Sequence, residues 1–159
     1  MKYTRFEELP VWQAATDLAV RIFSLGAKPH LRPQRALRDQ IERAAVSIGN
    51  NIAEGFERGT TQELLTFLYI ARGSAGEVRS MLCLMERLSG ISDLKSEISN
   101  LKLLAEGVSR QLRAWAQSLQ DSPIEGTRYV TSKTRKLDEA RRKRDDFLQE
   151  LKAHEKRSE

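Results

Sequence analysis

The sequence is poor in cysteine, aromatic residues, proline and glycine, and each scarcity excludes a class of protein. Cys83 is the one cysteine among 159 residues, so an internal disulfide is excluded and a reducing compartment is expected. Aromatic residues make up 6% of the chain, beside 4 Pro and 9 Gly, which favours an all-α protein over a β-sandwich or barrel. No apolar run approaches the roughly 18 residues of a membrane span, and no secretory signal is visible. A cytoplasmic protein without membrane contact is therefore expected.

Apolar residues recur at spacings of three and four in four segments, approximately 9–25, 33–57, 60–90 and 94–119. In the first segment Phe23 is expected to widen the apolar stripe. Short connections after the second and third segments make neighbouring helices antiparallel. The pattern predicts an antiparallel up-down-up-down four-helix bundle over residues 1–120, a linker at 121–133 and a charged tail at 134–159 that is helical or disordered.

The corner between the second and third segments reads "SIGNNIAEGFERGTTQE" over residues 47–63. No strand precedes its glycines and no Lys follows them, which argues against a phosphate-binding loop. Thr60 and Glu63 form a T-x-x-E capping box, in which the Thr60 hydroxyl bonds the Glu63 amide and the Glu63 carboxylate bonds the Thr60 amide. We therefore predict that this stretch is a helix corner.

Two glycines in the middle of the third segment need a structural reason, because each costs about 1 kcal/mol relative to Ala in a helix interior. If the second and third helices form a hairpin that turns at residues 58–59, Gly73 lies opposite Ala44 and Gly76 lies opposite Ile41. The glycines are therefore expected to permit close packing of the two helices.

The sequence carries no enzyme signature. His30 and His154 have no cysteine or carboxylate neighbours at metal-ligand spacing, and Cys83 is expected to be a buried, inert thiol. A non-enzymatic protein without metal or cofactor is expected.

Basic residues are clustered, and the net charge is +5 with a pI near 9.6. Two interpretations stay open: a solvated basic face, or a surface that neutralises phosphates without reading bases. The candidate nucleic-acid-binding residues lie in the first loop and second helix, in the fourth helix and in the tail: Lys28, Arg32, Arg35, Arg38, Arg43, Arg110, Arg113, Arg141, Arg142, Lys143 and Arg144.

Two segments resemble a known family. "LRDQIERAAVSIGNNIAEGFERG" (37–59) and "ELLTFLYIARGSAGEVRSML" (63–82) are similar to the four-helix-bundle proteins of the 23S rRNA intervening-sequence family. The family pattern runs D-Q-x-x-R-A-x-x-S-I, then N-I-A-E-G, then F-L-x-x-A-x-G-S-x-x-E. The similarity spans about residues 6–119. Gly49 stands where the family usually has Pro, and the charged tail is not part of the pattern.

The resemblance implies a bundle that assembles as a cyclic homopentamer. A related group, the accessory variability determinant of diversity-generating retroelements, forms a basic barrel that binds a reverse transcriptase and nucleic acid. We therefore carry two hypotheses, an oligomeric module that binds the RNA or DNA backbone, or an adaptor that serves as accessory subunit of a reverse transcriptase. The residues of the structural signature are Asn51, Glu54, Gly55, Arg58, Gly73, Ser74 and Glu77. Asn51 and Glu54 are expected to tie the hairpin corner to another helix or subunit by hydrogen bonds.

Overall fold

The computed structural model describes residues 3–121 and Arg144. Four long helices are present, with short 3-10 turns at Phe6–Glu8, Pro29–Leu31 and Ser92–Leu94; the helices are α1 (Pro10–Gly26), α2 (Arg35–Glu57), α3 (Thr61–Met85) and α4 (Lys95–Gln120). All four belong to the first of two units into which the chain divides, Met1–Gly126 and Thr127–Glu159. The predicted all-α class is confirmed, while the predicted linker and tail lie almost entirely outside the described residues.

The helices form a bundle in which each helix has two neighbours. α1 packs against α2 and α4, and α3 packs against the same two helices. Three residues separate α2 from α3, so the chain reverses direction at that corner. Within the described residues, no helix is both long enough and apolar enough to cross a membrane.

Local sequence signals account for the helix ends. α1 begins at Pro10, whose missing N–H is tolerated in the first helical turn. The Thr60 hydroxyl accepts a hydrogen bond from the Glu63 amide at 3.2 Å, as predicted. The reciprocal half of the box differs, because the Glu63 carboxylate accepts from the Thr60 hydroxyl at 2.7 Å. α3 ends at Met85, about one turn before the predicted end at Gly90, whose positive φ of 81° belongs to the connection.

The apolar positions of α4 supply much of the core. Ile98, Leu101, Ala105, Val108 and Leu112 are buried, as their alternating spacing predicted. Each fully buried Leu or Ile contributes about 1.5–3 kcal/mol relative to an exposed one.

Phe23 departs from the predicted apolar stripe of α1. Its side chain is 47% exposed, whereas Leu18 and Ile22 on the same helix are fully buried. The prediction that Phe23 widens the core stripe is therefore wrong. Its ring instead lines a groove along α2.

The register between α2 and α3 is fixed at their middle by a hydrogen bond. The Ser47 and Ser74 hydroxyl oxygens lie 3.0 Å apart. In the predicted hairpin Ser47 lay opposite a residue four positions away from Ser74. The predicted register was therefore in error by about one helical turn.

The close approach of the two helices occurs at Gly55 rather than at Gly73 and Gly76. A Cβ on Gly55 would lie 2.7 Å from the Phe67 Cβ, so only glycine fits there. A Cβ on Gly73 or Gly76 would meet nothing within 4 Å, because both glycines lie on the exposed side of α3. The prediction that Gly73 and Gly76 pack against α2 is wrong.

Cys83 is also placed differently from the prediction. Leu82 and Met85 are fully buried on the core side of α3, and Cys83 between them is exposed. The helical twist carries its side chain away from the core, so the expectation of a buried thiol is wrong.

Candidate nucleic-acid interface

The α1–α2 and α3–α4 connections meet at the same end of the bundle. Lys28 in the first connection forms a salt bridge of 2.6 Å with Glu97 in the first turn of α4. Lys102 donates a hydrogen bond of 2.8 Å to Glu86 just beyond α3, and this bond raises the pKa of Lys102 above its ordinary value. Charged residues that are distant in sequence are therefore gathered on one surface.

One buried leucine fixes the shape of the first connection. Lys28 is extended, the conformation favoured before a proline, and Pro29 starts a short 3-10 turn. Leu31 in that turn is fully buried. The anchor leaves the neighbouring His30 and Arg32 exposed at the end of the bundle.

Four cations at this end are exposed and form no salt bridge with another described residue. We call this set the basic end: Arg32, Arg35, Arg87 and Lys95. Arg32 and Arg35 lie at the entry to α2, whereas Arg87 and Lys95 flank the α3–α4 connection. Their charge is directed to solvent and is available to an anionic partner.

The N-terminus of α2 adds to this positive potential. Among the described residues no side chain caps its first turn, and that turn contains no acidic residue. The first amides of a helix carry partial positive charge and bind anions. Arg35 is the first residue of α2, so its charge and the helix terminus reinforce each other.

Two of the predicted basic residues at this end are neutralised by neighbours. Lys28 is paired with Glu97. Arg38 lies 3.2 Å from the Asp39 carboxylate and 3.9 Å from Glu42, and its side chain is only 29% exposed. These two cations therefore serve the packing of the bundle end and contribute less to an external partner.

The other predicted basic residues lie away from the basic end. Arg43 is eight residues along α2 from Arg35, about 12 Å. Arg110 and Arg113 are near the opposite end of α4, about 22–27 Å along the helix from Lys95. In the tail, Arg141, Arg142 and Lys143 are outside the described residues, and Arg144 is helical and exposed.

The signature residue Asn51 is linked to α3 through the Ser47 hydroxyl. Its amide donates to the Ser47 backbone carbonyl at 2.7 Å and to the Ser47 hydroxyl at 3.0 Å. The same hydroxyl contacts Ser74 of α3. Asn51 therefore orients the hydroxyl that joins the two helices.

Within one copy of the chain Glu54 does not itself bond another helix in the described residues, whereas Arg58 does reach the neighbouring helix. Glu54 pairs at 2.5 Å with Arg58, four residues further along the chain at the end of α2. The Arg58 guanidinium lies 5.1 Å from the centre of the Phe67 ring on α3, a cation–π distance. Glu77 lies on the exposed side of α3 near Gly73.

The described residues offer no metal centre. Within residues 3–121 no group of three or more His, Cys, Asp or Glu side chains is arranged to hold a metal ion.

Arg87 and Lys95 belong to the basic end but were not among the sequence candidates. The sequence contained the information needed to find them, because an antiparallel bundle places its first and third connections at the same end. Combining the two connections would have added these residues to Arg32 and Arg35.

Comparisons with known proteins give the family of this chain. A crystal structure of a protein of unknown function from the S23 ribosomal protein family of Bacteroides thetaiotaomicron is 25% identical to it, with a TM-score of 0.60. The alignment covers 67% of this chain and 95% of that one. No curated protein matches the chain. The family model for the 23S rRNA-intervening sequence protein matches residues 7–114, and this chain belongs to that family.

Proposed function

We propose that this protein binds the phosphate backbone of nucleic acid through its basic end. The observation that carries the proposal is the selective exposure of charge. Arg32, Arg35, Arg87 and Lys95 have no salt-bridge partner in the described part of the chain, whereas Lys28 and Arg38 beside them are paired.

The geometry favours backbone contact over base reading. Cations from two connections and the N-terminus of α2 lie at one end of the bundle, which suits repeated contacts with phosphates. Base recognition would instead require several side chains along one helix or strand that enters a groove of the nucleic acid. The binding is therefore proposed to be strongly salt-dependent and weakly sequence-dependent.

The number of phosphate contacts predicts how steeply the affinity falls with salt concentration. Four phosphate contacts on duplex DNA correspond to a slope of about −3.6 for log affinity against log salt. Raising salt from about 50 to 200 mM should then weaken binding on the order of 100-fold.

The test is fluorescence polarisation with a labelled DNA duplex and a labelled RNA hairpin. The double variant Arg32→Glu/Arg35→Glu should lose most of the affinity and show a slope shallower by about one per lost phosphate contact. Arg110→Glu/Arg113→Glu is the matched control, since it changes net charge equally at the opposite end of the bundle. Circular dichroism checks that both variants fold.

Two results would contradict the proposal. The first is no detectable binding of either probe at low salt. The second is an equal loss in the two double variants, because net charge rather than the basic end would then explain the binding.

A further inference from the structure

We propose that a groove beside the basic end holds one unpaired base of a nucleic-acid strand. The base stacks on Phe23 and donates its exocyclic amino group to a carboxylate of α2. This inference rests on the proposed backbone binding at the basic end, and it adds a preference for single strands. It uses residues that neither the core nor the basic end explains.

The groove is open and has a volume of about 560 Å³; it is lined by Phe23 of α1 and by residues of α2, and we call it the α2 groove. Phe23 and Val46 give it apolar surface and are 47% and 38% exposed. Within residues 3–121 no other aromatic ring stacks on Phe23. An exposed aromatic ring of this kind is a surface on which an unpaired base stacks.

The α2 groove begins one helical turn from the basic end. Phe23 is three residues before the last residue of α1, and Asp39 is four residues after Arg35. Arg35, Asp39 and Arg43 recur every four residues, so they lie on one side of α2. Arg35 and Arg43 are exposed and lie about 12 Å apart along the helix. A strand whose phosphates contact both arginines therefore runs along the groove and can place a base in it.

Two carboxylates in the groove can accept hydrogen bonds from a base, those of Asp39 and Glu42. Asp39 Oδ1 lies 3.2 Å from the Arg38 guanidinium, and Glu42 Oε1 lies 3.9 Å from it. The second oxygen of each carboxylate forms no hydrogen bond with another described residue. Arg38 therefore offsets part of the negative charge near the strand and leaves one acceptor on each carboxylate.

These acceptors select bases that carry an amino group. Cytosine has an N4 amino group where thymine has the O4 carbonyl oxygen. A carboxylate accepts a hydrogen bond from the amino group and repels the carbonyl oxygen. Asn50, one turn beyond Val46, adds an exposed amide to the same groove. The natural chain should therefore bind a cytidine strand about fivefold more tightly than a thymidine strand, the effect of one modest base contact.

The α2 groove also distinguishes single strands from duplexes. In a duplex both faces of a base are stacked on its neighbours, and turning the base out costs free energy. In a single strand a base is free to stack on Phe23. Loss of the Phe23 ring should therefore weaken the binding of single strands and leave the binding of duplexes unchanged.

The test is fluorescence polarisation with three labelled DNA probes of equal length: a duplex, a strand of cytidines only and a strand of thymidines only. Phe23→Ala should weaken the binding of the cytidine strand roughly 5- to 150-fold. The salt slope of that variant should stay unchanged, because stacking releases no counterions. Tyr69→Ala, at a 46% exposed aromatic position on α3, is the matched control and should leave all three affinities unchanged. Circular dichroism checks that both variants fold.

A second measurement tests the carboxylates. Asp39→Asn/Glu42→Gln removes two negative charges, which strengthens the binding of every probe. The ratio of the cytidine-strand affinity to the thymidine-strand affinity cancels this general effect. The ratio should fall from about five to about one, because an amide can accept from cytosine and donate to thymine.

The outcomes separate this inference from the proposed function. If the duplex binds but Phe23→Ala leaves the single-strand affinity unchanged, the base site is wrong and backbone binding at the basic end still holds. Equal affinities of the natural chain for the cytidine and thymidine strands would likewise overturn the base site. Binding of no probe at low salt would overturn both proposals. Arg32→Glu/Arg35→Glu should weaken the binding of all three probes, so a loss confined to single strands is specific to the α2 groove.

Discussion

Gly55→Ala should destabilise the bundle, while the same substitution at Gly107 should stabilise it. Both glycines lie within helices, Gly55 in the last turn of α2 and Gly107 in the middle of α4. They differ in the space around the missing side chain. A Cβ on Gly55 would lie 2.7 Å from the Phe67 Cβ, whereas a Cβ on Gly107 would meet nothing within 4 Å.

The expected magnitudes follow from two opposing terms. Replacing Gly by Ala in a helix interior stabilises by about 1 kcal/mol, which is the full effect at Gly107. At Gly55 the gain is smaller because the helix ends two residues later. There an overpacking cost of about 1–3 kcal/mol opposes it. Since the Phe67 Cβ is attached directly to the α3 backbone, it cannot move aside without a shift of the helix.

Urea denaturation followed by circular dichroism gives both free energies of unfolding. The Gly107→Ala chain should unfold at higher urea than the natural chain, and the Gly55→Ala chain at lower urea. Equal stabilisation by the two substitutions would refute the reasoning, because the α2–α3 approach would then have room for a methyl group. An unchanged slope against urea shows that the two-state comparison is valid.

Three further outcomes follow from single contacts. Leu18→Ala should cost about 2–5 kcal/mol by urea denaturation because its side chain is fully buried, and Val20→Ala at a 60% exposed position should cost no more than about 0.5 kcal/mol. Thr60→Ala should cost about 0.5–2 kcal/mol through loss of the α3 cap. Glu86→Gln should lower the pKa of Lys102, which NMR titration measures. Because the Lys102–Glu86 hydrogen bond raises the pKa of Lys102 in the folded chain, its contribution to the free energy of unfolding is present at neutral pH. That contribution is lost as the pH rises through the raised pKa.

The helices and most of the core could be predicted from sequence because burial imposes a period of 3.6 residues. The seam of α4 from Ile98 to Leu112 shows this directly, as do the corner residues Thr60 and Glu63. These signals are local. Each depends on residues within one or two turns of each other, so no knowledge of a neighbouring helix is needed.

The register between α2 and α3 could not be predicted from the same period. A slip of about one turn brings nearly the same apolar stripes together, so periodicity hardly distinguishes the two pairings. The predicted pairing also placed Gly73 and Gly76 against α2, whereas both lie on the exposed side of α3 and the close approach is at Gly55. Specific contacts select one register: the Ser47–Ser74 hydroxyl pair and the fit of Gly55 against Phe67.

Cys83 shows a second limit. It lies within five apolar residues, Met81–Met85, and such a run has no period from which an inward side can be read. α3 turns Leu82 and Met85 inward and leaves Cys83 and Leu84 exposed. The residue types show that this turn of α3 is apolar, but which of its side chains face the core is decided by the packing of the bundle.

The basic residues show why a charge cluster does not by itself define a binding surface. In the sequence Arg35 and Arg38 are equivalent members of one cluster, three residues apart. In the bundle Arg38 turns toward Asp39 and Glu42, whereas Arg35 remains exposed at the start of α2. The charge available to a phosphate is what remains after such internal pairing. Reversing Arg35 should therefore affect nucleic-acid binding, while reversing Arg38 should chiefly disturb the fold.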